Sequence, residues 1–336
     1  MDPVSGISSI APEKIRRAAL LAIGVMLPWF IGIVSGYAQY GSIASFASYL
    51  LVVSFPILPT RHCLAILGLS ALLFSLFASV GGFVTLGSVS FFIFALLAAL
   101  AQGLGELKQG YFRLPIALSA LAFFLSVGQV PASGPVFYSL CFTLGAVWGV
   151  FLARLMLPVN QQTEVGVSLK MSSLSLRFAA GMGIVSLVGS VLACLSGGSH
   201  PCWLPAAALR VMKPTREQTV YRIKTRSIGT LAGAATGGLL LGLSPLPWLH
   251  ALIAGGMLFA MQLIGAKRYG GWSFCLTAIA LAFNLTPDAS AVNMALNRSL
   301  LTIVGMCLAL LALLILVRNG RRDVAVKPQD AQIPTE

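Results

Sequence analysis

The sequence has very little charge and very few acidic residues. Only 9% of its 336 residues are charged and nine are Asp or Glu, whereas soluble domains carry about a quarter charged residues. Hydrophobic residues make up 57% of the chain, so a soluble fold is excluded. The net charge of +13 would suit nucleic acid, but no basic run interleaves with aromatic residues in a soluble module, so we expect no nucleic-acid partner.

Several catalytic patterns are also missing. There is no Walker-type phosphate loop, which excludes ATP hydrolysis by this chain. None of the six cysteines forms a CxxC pair, and no Ser/His/Asp, His-cluster or paired-carboxylate arrangement is visible. We therefore predict a protein that is not an enzyme and holds no metal or cofactor. Cys194 and Cys202 flank one short turn and are either free thiols or a disulfide.

Twelve apolar stretches approach the roughly 20 residues that cross a bilayer. They predict an all-α polytopic membrane protein with helices over 15–36, 40–58, 62–82, 84–104, 113–130, 134–157, 174–195, 200–212, 223–243, 246–265, 268–286 and 297–318. The eighth stretch is short and contains Pro201 and Pro205, which predicts a broken or partly re-entrant helix. The first lacks a cleavage site, so we interpret it as a retained helix.

The positive charges predict the orientation of these helices. With the N-terminus inside, 21 of the 22 Lys and Arg residues fall on the cytoplasmic side and only Arg298 falls outside. Cytoplasmic connections carry such an excess of Lys and Arg. We therefore predict cytoplasmic N- and C-termini and a multi-pass location in a bacterial inner membrane.

The two halves of the chain are similar to each other. An offset of 161 residues without gaps aligns Arg16 with Arg177 and Arg61 with Arg222. This predicts two parallel six-helix repeats, because six helices later the orientation is the same. The predicted domains are a first repeat at 1–157, a cytoplasmic linker at 158–172, a second repeat at 173–318 and a disordered cytoplasmic tail at 319–336.

Within the second half, "RSIGTLAG" at 226–233 returns as "RSLLTIVG" at 298–305, in helices that run in opposite directions. At 100° per residue, two cations of the ninth helix share one face with three glycines. The glycines predict close helix packing, and the unpaired cations predict an anion route. The alternative is a packing seam with ordinary cytoplasmic anchors. The residues on this face are Arg222, Arg226, Gly229, Gly233 and Gly237.

The pattern Arg226-x-x-Gly229-Thr230-x-x-Gly233, preceded by Trp203 and a loop at Pro214, resembles the fusaric-acid-resistance (FUSC-type) aromatic acid exporter family. Plant aluminium-activated malate transporters are distant relatives of that family. The resemblance covers about 174–318 and implies export of aromatic or other organic carboxylates. It implies that Arg222, Arg226 and Arg298 face the substrate pathway. We expect Arg61, Trp203 and Thr230 to line the same pathway.

Three features depart from the family pattern. Many members place a large soluble domain between their halves, whereas here only the short 158–172 segment joins them. Leu301 replaces the glycine of the Gly-Thr pair in the second copy of the motif. Tyr138 stands where the first half should have its sixth-helix arginine. The resemblance therefore implies an asymmetric pathway.

The remaining candidate residues concern proton coupling and substrate stacking. His200 and His250 are candidates for proton coupling, with plain interfacial histidines as the alternative, because no acid lies mid-helix. Trp203 is a candidate for stacking on an aromatic substrate.

The expected partners are a small organic anion, the lipid bilayer and either a periplasmic adaptor or a second copy of the chain. A passive organic-anion channel or uniporter of malate-transporter type is the alternative function, since the membrane potential drives anions outward.

We expect reporter fusions at Ser133 and at Thr163 to report opposite sides of the membrane, because an odd number of predicted helices separates the two positions. A periplasmic phosphatase and a cytoplasmic fluorescent protein at each position would measure this. Finding both positions on the same side would contradict the predicted topology.

Overall fold

The computed structural model describes residues 12–55, 63–107, 113–157, 173–284 and 290–320, and the regular structure in these ranges is entirely α-helical. The helices are α1 (Pro12–Val34), α2 (Ala38–Ser54), α3 (Cys63–Phe83), α4 (Val89–Leu107), α5 (Arg113–Ser126), α6 (Pro135–Met156), α7 (Ser173–Ser196), α8 (Trp203–Val211), α9 (Arg216–Gly242), α10 (Pro247–Ile264), α11 (Tyr269–Asn284) and α12 (Ala291–Gly320). The all-helical prediction is confirmed. Arg61, the 158–172 linker and the tail beyond Gly320 lie outside the described residues.

Seven of these helices are long and apolar enough to cross a membrane: α1, α3, α4, α6, α7, α10 and α12. The others are α2, α5, α8 and α11, which have fewer than 18 residues, and α9, which begins with a charged segment. The nine residues of α8 span only about 14 Å. All nine are buried, so protein rather than lipid surrounds this short helix.

Five helices have a predicted bound that is wrong by more than a turn: α2 and α5 end four residues earlier than predicted, α4 begins five residues later, and the starts of α9 and α12 are also wrong. α9 begins at Arg216 and α12 at Ala291, seven and six residues earlier than predicted. The early start of α9 has a local cause, because the Thr215 side chain accepts a hydrogen bond from the Gln218 backbone N–H. Polar helical turns of this kind are invisible to a search for apolar runs. As a result, Arg298 lies two turns inside α12 rather than in an outer connection.

The main helix contacts recur in both halves of the chain. In the first half α1 packs on α2, α2 on α6, α3 on α5 and α6, and α4 on α5. In the second half α7 packs on α8, α8 on α12, α9 on α11 and α12, and α10 on α11. The halves contact each other mainly through α1 with α10 and α4 with α7.

The three glycines of α9 lie directly against the backbone of α11. A Cβ atom on Gly229 or Gly233 would collide with the carbonyl oxygens of Gly270 and Phe274, and one on Gly237 would come within 3.1 Å of Ala278 Cα. Helices approach this closely only where side chains are absent from the contact. The α9–α11 contact therefore fixes the position of every side chain that α9 carries.

A buried ion pair holds the two halves together at the end of the bundle where α4 and α8 finish. Lys213, in the α8–α9 connection, donates from Nζ to Glu106 Oε1, and Arg113 Nε donates to Glu106 Oε2 at 2.9 Å. Nearby, Gln102 Nε2 donates to the Leu209 backbone oxygen at 3.0 Å. We call Glu106, Lys213 and Arg113 the ionic clamp.

We expect Gly233→Ala to destabilise the protein by about 1–3 kcal/mol, because the added methyl group overpacks the α9–α11 contact. Gly256 on α10 is the matched control, since no atom lies within 4 Å of a Cβ built there. Gly256→Ala should be neutral or stabilise by up to about 1 kcal/mol. Thermal unfolding of both variants in detergent measures the difference; equal effects would contradict the close contact.

We expect Glu106→Gln to destabilise the protein by about 3–5 kcal/mol, because it leaves the buried Lys213 ammonium without its carboxylate. The double variant Glu106→Gln/Lys213→Met should recover part of this loss. Glu217→Gln, on the exposed first turn of α9, is the matched control and should change stability by less than about 1 kcal/mol. A single variant as stable as this control would show that the ionic clamp contributes little.

Candidate functional site

The repeated motif places two arginines on neighbouring antiparallel helices. Arg226 on α9 is 1% exposed and Arg298 on α12 is 3% exposed. The glycine seven residues after each arginine lies against a partner helix: Gly233 against α11, and Gly305 against α8, where a Cβ would approach the Leu204 backbone oxygen to 2.8 Å. Each copy of the motif thus pairs a buried cation with a backbone-to-backbone helix contact.

Arg226 belongs to a group of cations around one tyrosine. Its Nη1 donates to the Tyr269 hydroxyl at 3.2 Å, and the Arg222 guanidinium carbon lies 4.3 Å from the centre of the Tyr269 ring. Arg210, in the last turn of α8, is 5% exposed, and its charge interacts with those of Arg222 and Arg226. We call Arg210, Arg222, Arg226 and Arg298 the cation cluster.

Arg298 lies over the indole ring of Trp203, with its guanidinium carbon 4.7 Å from the ring centre. His200 also stacks on this ring, at 4.5 Å between centroids and 17° between planes. Trp203 is 1% exposed. Its ring is therefore already in contact with Arg298 and His200, which leaves it no open face of the kind that substrate stacking requires.

Several N–H groups of this site have no acceptor. They are Nε of Arg210, Nε of Arg226, both Nε and Nη1 of Arg298, and Nε1 of Trp203. Since about nine in ten buried polar groups in proteins have a partner, such a concentration is unusual. Among the described residues Glu106 is the one buried carboxylate, and it already binds Lys213 and Arg113. The site thus offers donors and positive charge without a counterion of its own.

Small hydroxyl groups accompany the cations. Thr230 Oγ1 lies 3.4 Å from Ser273 Oγ and 3.4 Å from Thr277 Oγ1, so these three link α9 to α11. Thr302 occupies the equivalent position of the second motif copy, and its buried hydroxyl has no partner. Both copies therefore place a buried hydroxyl one turn beyond the arginine.

The two candidate histidines have different surroundings. Burial lowers the pKa of His200 to about 4, with the Arg298 charge acting in the same direction and a hydrogen bond to the Asn284 backbone opposing it. His200 is therefore neutral near pH 7. His250 Nε2 donates to the Ser244 backbone oxygen at 2.9 Å. Proton coupling through either histidine stays a prediction.

The thiols of Cys194 and Cys202 are free.

Of the predicted pathway residues, the structure brings Arg222, Arg226, Arg298, Trp203 and Thr230 into one region around α9, α8 and α12.

Sequence reasoning missed two members of the site. The charge distribution counts Arg210 simply as one of the 21 cytoplasmic cations and no motif includes Tyr269, yet both are buried at 5% exposure. The 161-residue offset holds a signal for Arg210, because it aligns this residue with Tyr49, another buried polar residue without a hydrogen-bond partner. The Tyr49 hydroxyl interacts electrostatically with the charges of Arg210 and Arg226. Both positions of the alignment thus face the same region.

The second half of the chain, which contains the candidate site, is similar to known proteins. Residues 184–312, which include the whole cation cluster, match the family described as fusaric acid resistance protein-like. The Inner membrane protein YccS of Escherichia coli (strain K12) is 30% identical over 136 residues, which is 40% of this chain and 18% of that protein. The match thus spans less than a fifth of the relative's length. No solved structure matches the chain.

The family match, the inner-membrane relative and the seven spanning helices agree with one another. The resemblance indicated by the Arg-x-x-Gly-Thr-x-x-Gly pattern is confirmed, since residues 184–312 match the fusaric acid resistance protein-like family, and these findings together support a multi-pass inner-membrane location.

Proposed function

We propose that this chain exports organic carboxylates, aromatic acids in particular, across the inner membrane. The observation that carries the proposal is the cation cluster, whose buried N–H groups lack acceptors and whose charge lacks a counterion among the described residues. A carboxylate supplies both, because ionised oxygen atoms accept strong hydrogen bonds from guanidinium groups. The cluster is thus completed by the kind of molecule that the protein would carry.

The positions of the arginines support a route rather than a single closed site. Arg222 is half-buried against Tyr269, whereas Arg226 and Arg298 are fully buried on antiparallel helices. The charge of Arg226 acts on Arg298, so the two lie within electrostatic reach of each other. A carboxylate passing from Arg222 to Arg226 and then to Arg298 would keep a cationic partner throughout, with Thr230 and Thr302 as neighbouring hydroxyls.

We further propose that the chain consists of two parallel six-helix repeats with cytoplasmic termini. The recurrence of the same helix pairs six helices later supports this arrangement, as does the distribution of Lys and Arg. The repeats would not be equivalent. Tyr49 aligns with Arg210. Tyr138 lies in α6, the helix that corresponds to α12, and its hydroxyl shares a hydrogen bond of 2.6 Å with the Ser126 hydroxyl. The anion route would therefore belong mainly to the second repeat.

A passive organic-anion channel or uniporter is the second candidate. The observation that favours it is the scarcity of proton carriers: within the described ranges the one buried carboxylate is ion-paired, and His200 is neutral near pH 7. An anion leaving the cell needs no carrier of protons, because the inside-negative potential already drives it outward.

We expect Arg226→Gln and Arg298→Gln each to lower the efflux of benzoate from proteoliposomes by about 10- to 100-fold, because each removes a charge-assisted hydrogen bond worth about 1.5–3 kcal/mol. Arg216→Gln, at the exposed start of α9, is the matched control and should retain efflux within about twofold. The thermal stability of both buried variants should stay the same or rise, since an unpaired buried charge is removed.

Measuring thermal stability beside efflux distinguishes a transport role of these arginines from a structural one. Arginines with a structural role would lower the melting temperature together with efflux, and full efflux in either buried variant would contradict the route. Saturable, pH-gradient-dependent efflux in the wild type identifies an exporter. Non-saturating benzoate current without pH dependence identifies the channel.

A further inference from the structure

A cavity of about 390 Å³ lies between the two halves, and no member of the cation cluster lines it. It is formed by α1, α2, α5 and α6 of the first half and by α10 and α11 of the second, at the end of the bundle where α2 and α10 begin. This volume falls in the range of small-molecule sites, about 300–1,000 Å³, which commonly form at the interface between two structural units. We call this cavity the aromatic chamber.

Aromatic rings form much of its wall. Trp29 stacks on Phe283 with centroids 5.1 Å apart and planes at 24°, and Phe46 lies 5.4 Å from Phe283. Tyr138 adds a fourth ring to the lining. These rings come from α1, α2, α6 and α11, so they line the cavity from several helices. Such surroundings favour a planar aromatic occupant, which gains offset-stacked or edge contacts.

The polar groups of the aromatic chamber are uncharged or at most weakly basic. Gln129 Nε2 donates to the Ser199 backbone oxygen and Asn284 Nδ2 to the Ala280 backbone oxygen, and each side chain also carries a carbonyl oxygen that can accept a hydrogen bond. His250 Nε2 is already bound to Ser244. No Lys, Arg, Asp or Glu lines the cavity among the described residues. A carboxylate would lose hydration here without gaining a cation, which is unfavourable.

We propose that the aromatic chamber is a second binding site, which takes small uncharged aromatic molecules with a hydrogen-bond donor, such as aromatic amides or phenols. The rings supply the apolar contact, and the side-chain carbonyl oxygens of Gln129 and Asn284 accept from the donor. The site differs from the cation cluster in selecting neutral over anionic molecules. It does not depend on the proposed export function, because none of the four arginines lines it.

The aromatic chamber is adjacent to the outer members of the candidate site. Gln129 lines both this cavity and a small crevice that reaches His200 and Trp203. The backbone of Asn284 hydrogen-bonds His200, which stacks on Trp203 beneath Arg298. Gln129 and Asn284, which line the aromatic chamber, are therefore neighbours of the His200–Trp203–Arg298 stack.

The test is the binding of benzamide, a neutral aromatic amide, to the purified full chain in detergent at pH 8, measured by isothermal titration calorimetry. Ala38 lines the cavity, so Ala38→Phe should fill it and weaken benzamide binding at least about tenfold. Ala65→Phe is the matched control, because Ala65 is exposed on α3 away from the cavity, and it should bind as the wild type does. Arg216→Gln, at the exposed start of α9, should also leave benzamide binding unchanged.

A second variant decides the matter if Ala38→Phe does not fold. Gln129→Leu removes one acceptor and should weaken benzamide binding about three- to tenfold, the value of one hydrogen bond. Benzoate at pH 8 should not displace benzamide at equal concentration. Absence of benzamide binding, unchanged binding in both cavity variants, or equal displacement by benzoate would each overturn the proposal.

Discussion

A guanidinium group keeps its positive charge when it leaves water, so its burial is costly until acceptors surround it. The arrangement of the second half of this protein depends on this constraint. Arg226 and Arg298 are almost completely buried, and close backbone contacts at Gly233 and Gly305 hold their helices in position. Rigid helices prevent these side chains from reaching water by a small shift. These buried N–H groups have no acceptor among the described residues, and under the proposed function a carboxylate would supply one.

The ionic clamp shows the opposite solution to the same constraint. Glu106 accepts from both Lys213 and Arg113, so the buried charges of this group are compensated within the protein. The two arrangements lie close together, since the charges of Arg210 and Glu106 act on each other. Cations that are paired within the protein and cations that are not thus lie side by side in this region.

Hydropathy and charge distribution were sufficient to predict an all-helical membrane protein, because lipid imposes long apolar helices on any chain that crosses it. The motif also indicated Arg226 and Gly233, whose helical spacing is visible in the sequence. It could not reveal Arg210 or Tyr269, because their burial arises from contacts with distant helices. The early starts of α9 and α12 were missed for a related reason: protein contacts and a Thr215 cap, rather than lipid, stabilise their polar first turns. Trp203 was correctly included in this region, but the sequence could not show that His200 and Arg298 cover its ring.

The short, fully buried α8 adds a fixed electric field to this region. Aligned peptide dipoles give a helix a partial positive charge at its N-terminus and a partial negative charge at its C-terminus. The N-terminus of α8 is at Trp203, beside Arg298, whereas the C-terminal turn contains Arg210. The dipole therefore partly screens Arg210 and reinforces Arg298. An anion in this region experiences a gradient that points towards Arg298, and the gradient is built into the backbone rather than supplied by the voltage across the membrane.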